Sequence, residues 1–323
     1  MSSSTCPIEN VVVVMLENRS YDNVLGWLYN SGNAPPFNQA PKGQQGLDGL
    51  NGTETNPSPN NGPTVTVSAA AATTIDGISF PAATIPAIDP GEDFGDMVQQ
   101  FTGASTFPTE NPYKNGFPSG NAMDGFVYNY NLILTNTDPL DPVIFGHGKT
   151  NPNTGGYVSN VMNYMKPENV PITSTLAMNF AVVDMWYASV PTQTFCNRAF
   201  SLCAAPAFTS STSIIDDGSY ADPLLQGTIE DMASIFSVLD DVSADSATPN
   251  WKIYFHDYSI SAFTVPYALK TAMASGNVNV VPFDNADWGT DPTAGSINVT
   301  PQTSIYPANQ LGGSGWTTFA EDV

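Results

Sequence analysis

Residues 11–23 read VVVVMLENRSYDN, an apolar run followed at once by polar and charged residues. The run Val11–Leu16 is short, β-branched and continuous rather than alternating, which is typical of a strand buried on both faces of a parallel sheet. In such sheets, ligands bind beyond the carboxyl ends of the strands. The sequence therefore predicts that Glu17 and Asn18 lie at the edge of the sheet where sites form.

Two later stretches predict further strands of the same sheet. The segment NFAVVDMWYASV (179–190) has strand character and leads through PTQT into FCNRAFSLCAA (195–205), which has helical composition. The segment WKIYF (251–255) predicts another strand. Because strands alternate with helices, we expect an α/β fold with a mainly parallel central sheet flanked by helices.

Other segments predict loops and helix boundaries. Residues 30–75 are rich in Gly, Asn, Pro, Thr and Gln, which indicates a long loop insertion. The segment DPGEDFGDM (89–97) predicts a loop that opens a helix. A helical spacing of apolar residues, which predicts a buried helix face, is shown by Ile229, Met232, Phe236 and Leu239. We expect residues 1–323 to form a single domain.

The composition excludes several classes of partner. The 323 residues include 30 acidic and 8 basic side chains, which give a net charge of -22. A nucleic-acid groove needs a basic stripe, and docking on anionic lipid needs a polybasic patch, so neither is expected. No apolar run approaches the roughly 20 residues that span a bilayer. The N-terminus MSSSTCPIEN lacks the features of a signal peptide, so the sequence leaves a secreted and a cytoplasmic location both open.

The pair Glu17 and Asn18 is the first candidate site. A carboxylate beside an amide oxygen offers hard oxygen donors, which suit Mg²⁺, Ca²⁺ or Mn²⁺, and the carboxylate also suits Zn²⁺. The same residues fit a purely structural role, in which Glu17 caps a following helix and Asn18 shapes a turn. Spacing alone leaves both interpretations open.

The second candidate site is the segment that contains Thr192, Thr194, Asn197 and Arg198. A hydroxyl at a helix N-terminus lies where the helix dipole stabilises an alkoxide and attracts phosphate. A guanidinium such as that of Arg198 can bind two phosphate oxygens at once. The alternative is that Thr194 is only the N-cap of the helix. A Ser-His-Asp hydrolase is not expected, because neither His147 nor His256 lies near a nucleophile-elbow pattern.

At both candidate sites the sequence resembles a known family. The segment IENVVVVMLENRSYDNVLG (8–26) is similar to the opening of the bacterial and fungal phosphoesterases that include phospholipases C and acid phosphatases. The similarity continues in NAMDGFVYNY (121–130) and in residues 165–200, which contain the pattern T-x-x-N-R. It implies an alkaline-phosphatase-like fold and a divalent metal ion, which would be Ca²⁺, Mg²⁺, Mn²⁺ or Zn²⁺.

The resemblance also implies roles for individual residues. Glu17, Asn18 and Thr194 would be metal ligands, and Thr194 would also be the nucleophile that forms a phosphothreonine intermediate. Asn197 and Arg198 would be structural or close to the phosphate. Two features depart from the family pattern: Glu92 stands where many members have histidine, and an aspartate-containing C-terminal motif is not found. From this departure we expect a C-terminally incomplete fragment.

Two classes of function follow from these observations. The first is a hydrolase of small-molecule or phospholipid phosphoesters, of the phospholipase C or acid phosphatase type. The second is a catalytically inert relative that acts only as a binding module, which the absent C-terminal motif favours. A sulfatase is a weaker third option, because that class needs a modifiable Cys or Ser in a C/S-x-P-x-R context, which this sequence does not contain.

Overall fold

The computed structural model describes residues 8, 10–16, 19–28, 48–59, 62–75, 78–86, 88–103, 123–135, 157–206, 233–241, 251, 253–255 and 280–282. Contacts divide the chain into two compact units, Glu17–Thr192 and a second that joins Met1–Leu16 with Gln193–Val323. The organisation of residues 1–323 as one domain stays a prediction.

The Glu17–Thr192 unit has mixed α and β structure. Its helices are α1 (Tyr21–Val24), α2 (Phe94–Thr102), α3 (Phe126–Thr135) and α4 (Pro171–Asn179), with single 3₁₀ turns at Ala82–Thr84, Val158–Met162 and Pro167–Asn169. Its strands are β1 (Thr55–Asn56), β2 (Val65–Thr66), β3 (Ser68–Ala69), β4 (Thr73–Ile75), β5 (Ile78–Phe80) and β6 (Asn163–Tyr164). They form three ladders of two strands each: β1 with β2 and β4 with β5 are antiparallel, and β3 with β6 is parallel.

The prediction of one long loop over residues 30–75 is therefore wrong in its second half. Residues 29–47 lie outside the described ranges, but the segment 48–75 contains β1 to β4. The reason is the alternation of Thr and Val in TVTVSA (64–69), because β-branched side chains favour extended backbone even in a polar context. The register of β3 on β6, with Ser68 opposite Asn163, links this segment to a distant part of the chain.

The second unit contains helices α5 (Thr194–Cys203) and α6 (Ile235–Asp241) and strands β7 (Ile253–Phe255) and β8 (Val280–Pro282). The helix expected over residues 195–205 and the strand expected within 251–255 are both confirmed in type. β7 pairs parallel with β8, with Ile253 opposite Val280. The ring of Phe236 on α6 lies 4.7 Å from that of Trp251. Of the four residues expected on the buried helix face, Phe236 and Leu239 are half-buried, and Ile229 and Met232 lie outside the described residues.

The strands expected at residues 11–16 and 179–190 are not formed. The side chain of Val11 is 81% exposed and that of Trp186 is 83% exposed. A strand becomes buried through neighbouring strands that hydrogen-bond to it, and no strand in the described ranges pairs with either segment. Both predictions are wrong for this reason: composition favoured a strand, but composition does not supply a partner. A central parallel sheet stays a prediction.

Helices α2 and α3 pack closely against each other. Asp93 is the N-cap of α2, so the loop-to-helix boundary expected in residues 89–97 is confirmed. The helix ends at Gly103, whose φ of 66° is the left-handed conformation that glycine adopts without strain. Gly125, which precedes α3, lies so near α2 that a Cβ there would overlap the carbonyl oxygen of Gln99.

A buried polar network joins the two helices. Asn129 is fully buried, and its Nδ2 donates to Asp96 Oδ1 at 2.6 Å and to Gln99 Oε1 at 2.9 Å. The Nε2 atom of Gln100 donates to Asn129 Oδ1 at 2.9 Å and to the carbonyl oxygen of Gly91 at 2.7 Å. Both hydrogens of each amide NH₂ group are therefore used. The network fixes the register of α2 on α3 and attaches the preceding loop to both.

Candidate active site

The segment that follows Asn18 is held by a short helix. Ser20 is the N-cap of α1, and its Oγ accepts a hydrogen bond of 3.1 Å from the backbone N–H of Asn23. The interpretation of Glu17 as the cap of this helix is therefore wrong, because Ser20 already occupies that position. Glu17 and Asn18 themselves lie outside the described residues, and their role as metal ligands stays a prediction.

Two hydrogen bonds of Asn23 and two buried side chains anchor this helix in the Glu17–Thr192 unit. The Nδ2 atom of Asn23 donates to the carbonyl oxygen of Asn163 at 2.7 Å, and the N–H of Met165 donates to the carbonyl oxygen of Asn23 at 2.7 Å. Trp27 and Leu28 follow directly and are fully buried in a cluster with Leu50, Tyr164 and Ala177. The polar motif thus runs straight into the core of its unit, which gives residues 19–28 a fixed place.

Carboxylates gather beside this helix. Burial raises the pKa of Asp22, and the neighbouring carboxylates of Asp48 and Glu54 raise it further. Glu54 is held by the N–H groups of Asn51 and Gly52 at 2.7 and 2.9 Å. Within the described ranges, however, no three His, Cys, Asp or Glu side chains are placed to hold a metal ion.

Thr194 begins helix α5 in the second unit. Gln193 has an extended backbone and is the N-cap, so Thr194 is the first residue of the helix. The alternative that Thr194 is only the N-cap is therefore wrong. Its hydroxyl group is attached at the turn where the backbone N–H groups point out of the helix, and the side chain is half-buried. This is the position at which a helix stabilises negative charge.

Three of the four predicted residues of this segment share one helix face, and Thr192 precedes the helix. Thr194, Asn197 and Arg198 are at positions i, i+3 and i+4, which lie one above the other on an α-helix, and all three are half-buried. Cys196 and Ala199, 0% and 1% exposed, occupy the opposite, buried face. The helix therefore presents the hydroxyl, the amide and the guanidinium on the same side.

Asn197 and Arg198 have different surroundings. The Nδ2 atom of Asn197 donates to the carbonyl oxygen of Gln193 at 3.1 Å, which fixes the point at which the helix begins. This bond supports a structural role for Asn197. The side chain of Arg198 is half-buried, and its position one turn after Thr194 places it on the same helix face.

The donor atoms fit a divalent cation by their chemistry. Glu17 would supply a carboxylate oxygen, Asn18 an amide oxygen and Thr194 a hydroxyl oxygen, and hard cations prefer oxygen ligands.

The two histidines, His147 and His256, lie outside the described residues. Of the described helices, none is long and apolar enough to cross a membrane.

Two residues of the E-N-R-S-Y-D-N motif make long-range hydrogen bonds that were not predicted from the sequence. Arg19 donates from Nη1 to the carbonyl oxygen of Ile85 at 2.6 Å, and Asn23 donates from Nδ2 to the carbonyl oxygen of Asn163. Both belong to the motif at residues 17–23, but their partners are 66 and 140 positions away. The only available signal was their membership in the motif itself.

Known proteins match most of the chain. The profile of the phosphoesterase family matches residues 8–290. Non-specific phospholipase C1 of Arabidopsis thaliana is 30% identical over 197 residues, which are 60% of this chain and 27% of the relative. Non-specific phospholipase C6 of the same plant is 31% identical over 194 residues, again 60% of this chain and 27% of the relative.

A third relative, non-specific phospholipase C4 of Arabidopsis thaliana, is 29% identical over 202 residues, which are 61% of this chain and 29% of that protein. The chain therefore spans less than a third of the length of these curated relatives. The family profile, in contrast, covers both the E-N-R-S-Y-D-N motif and the T-x-x-N-R helix. On this evidence the chain belongs to the phosphoesterase family.

Proposed function

We propose that this chain is a metal-dependent hydrolase of phosphoric esters, of the phospholipase C or acid phosphatase type, with Thr194 as its nucleophile. The observation that carries the proposal is the common helix face of Thr194, Asn197 and Arg198, which begins at the first residue of α5. Membership in the phosphoesterase family and the similarity to non-specific phospholipases C support the same reaction class.

The proposed reaction has two steps. In the first, Thr194 Oγ loses its proton and forms a bond to phosphorus, while the bond from phosphorus to the ester oxygen breaks and the alcohol leaves with a proton. In the second, water forms a new bond to phosphorus, the phosphothreonine bond breaks, and Thr194 regains its proton. The products are one alcohol and one phosphate or phosphate ester, and no oxidant or reductant is needed.

Residues of α5 would stabilise the charge that develops in both steps. The backbone N–H groups of the first turn and the guanidinium of Arg198 would bind the phosphoryl oxygens. Asn197 keeps the start of the helix in place through its bond to the Gln193 carbonyl. A divalent cation held by Glu17, Asn18 and Thr194 would lower the pKa of the hydroxyl and neutralise the phosphoryl oxygens.

We also propose that the chain has an alkaline-phosphatase-like fold with a mainly parallel central sheet. The parallel pairing of β7 with β8 supports it, because parallel neighbours need a long crossover connection and residues 256–279 lie between them. A crystal structure of the chain with a bound divalent cation tests this proposal, and an all-antiparallel sheet would contradict it.

Removing the metal tests the proposed function directly. The purified chain is assayed with p-nitrophenyl phosphate and with p-nitrophenyl phosphorylcholine, before and after dialysis against EDTA. We expect dialysis to lower turnover about 100-fold, since a bound cation supplies several kcal/mol of transition-state stabilisation. Adding back Ca²⁺, Mg²⁺, Mn²⁺ or Zn²⁺ one at a time should restore it.

The same assay separates the alternatives. Preference for the phosphorylcholine ester indicates a phospholipase C type, and preference for the monoester indicates a phosphatase type. Turnover that is unchanged after dialysis against EDTA contradicts the proposal that the reaction depends on a metal ion. A folded chain that hydrolyses neither ester with any of the four cations contradicts the hydrolase and favours a binding module.

A further inference from the structure

The side chain of Arg19 binds a distant segment of the same unit. Its Nη1 donates to the carbonyl oxygen of Ile85 at 2.6 Å, a bond that spans 66 positions. Partial burial lowers the pKa of Arg19, while the carboxylate of Asp89 acts in the opposite direction. A guanidinium remains charged in proteins, so this is a charge-assisted hydrogen bond to a backbone carbonyl, which is stronger than a neutral one.

Tyr130 binds the same stretch of backbone three residues further along. This residue of α3 is 1% exposed, and its hydroxyl donates to the carbonyl oxygen of Ile88 at 3.0 Å. Burial raises the pKa of Tyr130, and so does the nearby carboxylate of Asp89. The hydroxyl is therefore protonated at neutral pH and remains a donor.

A third bond completes the attachment of this stretch, which we call loop 85–91. Gln100 donates to the carbonyl oxygen of Gly91 at 2.7 Å, within the buried network of α2 and α3. Three carbonyl groups of one loop thus accept bonds from three different elements: the motif, α3 and α2. Loops in general have few such contacts and move more than the elements they connect. Loop 85–91 is instead fixed at its start, its middle and its end.

We propose that Arg19 is a positioning residue, which together with Tyr130 holds loop 85–91 against the E-N-R-S motif and so fixes the backbone on which Asn18 and Glu17 are carried. This proposal rests on the proposed function. Arg19 directly follows Asn18, and Ser20 is tied to α1 as its N-cap. With Arg19 tied to Ile85, the two residues after the predicted metal ligands are both anchored. Asp89, on the same loop, contributes a carboxylate close to the guanidinium.

The test compares Arg19→Gln, Arg19→Lys and Tyr130→Phe with Tyr157→Phe. Tyr157 is the matched control, because its hydroxyl also donates to a backbone carbonyl, that of Thr74 at 3.1 Å, which lies outside loop 85–91. Hydrogen–deuterium exchange of peptides covering residues 85–93 reports the loop without reference to activity. Turnover of both phosphate esters reports the site.

We expect faster exchange in residues 85–93, by about tenfold, in Arg19→Gln and in Tyr130→Phe, and no change there in Tyr157→Phe. We also expect Arg19→Gln to lower kcat about 10- to 100-fold with a change in KM below about threefold, and Arg19→Lys to recover most of this loss. That combination supports the proposal when circular dichroism shows each variant to be fully folded, because a smaller folded fraction would also lower the apparent kcat without changing KM.

Three results would overturn it. Unchanged exchange in residues 85–93 for both Arg19→Gln and Tyr130→Phe shows that these bonds do not hold the loop. Faster exchange with unchanged kcat shows that the loop has no part in positioning. A wild-type chain without turnover is the failure of the proposed function itself, which the same assay recognises because wild type and variants are measured together.

Discussion

Replacing Thr194 with alanine is expected to lower the turnover of phosphoric esters at least about 10⁴-fold, because the group that forms the bond to phosphorus is removed. Thr194→Ser keeps a hydroxyl and should keep measurable turnover. The measurement is kcat with p-nitrophenyl phosphate and with its phosphorylcholine ester, together with circular dichroism of each variant.

The structure makes this substitution a clean test. Because Gln193 and not Thr194 is the N-cap of α5, alanine at position 194 removes no helix cap. Ser201→Ala is the matched control: Ser201 lies two turns further along the same face and is exposed. Equal turnover in Thr194→Ala and wild type would rule out the threonine mechanism, and an equal loss in Ser201→Ala would point to damage of the helix instead.

The largest expected effect on stability is that of Asn129→Leu. This change leaves the carboxylate of Asp96 and the amides of Gln99 and Gln100 without the bonds that Asn129 now makes. A lost hydrogen bond between neutral groups costs about 0.5–1.5 kcal/mol, and one to a charged group about 1.5–3 kcal/mol. We expect the free energy of unfolding to fall by about 3–4 kcal/mol, measured by urea denaturation with wild type alongside.

Asn131→Leu is the control for this experiment. It is the same chemical change on the same helix, at a position that is half-buried rather than fully buried. Its effect should stay below about 1 kcal/mol. If both variants lose the same stability, the loss does not come from the buried network. It then comes from placing leucine instead of asparagine on this helix, whatever its burial.

The sequence predicted helices better than it predicted strands. The helix at Thr194–Cys203 was predictable from local composition, as was the loop that leads into α2. A helix closes its hydrogen bonds within itself, whereas a strand needs a partner elsewhere in the chain. The apolar run Val11–Leu16 shows the difference: its composition is that of a strand, yet its side chains are exposed.

The candidate site was predictable to the same extent. The spacing of Thr194, Asn197 and Arg198 sets a common helix face, because that relation depends only on the helix period. The bond of Arg19 to Ile85 and the attachment of loop 85–91 were not predictable, because nothing in the spacing of residues indicates a partner 66 positions away. The roles of Glu17 and Asn18 remain predictions that follow from the family resemblance.

The near-contact of Gly125 with the carbonyl of Gln99 limits how this part of the chain can evolve. At that point the distance between α2 and α3 is set by a hydrogen atom in place of a side chain. Any substitution there must push apart two helices whose polar groups are mutually bonded, and such overpacking is rarely tolerated. Among gene libraries and natural variants that keep this helix pair, substitutions should therefore be found at the neighbouring positions more often than at position 125 itself.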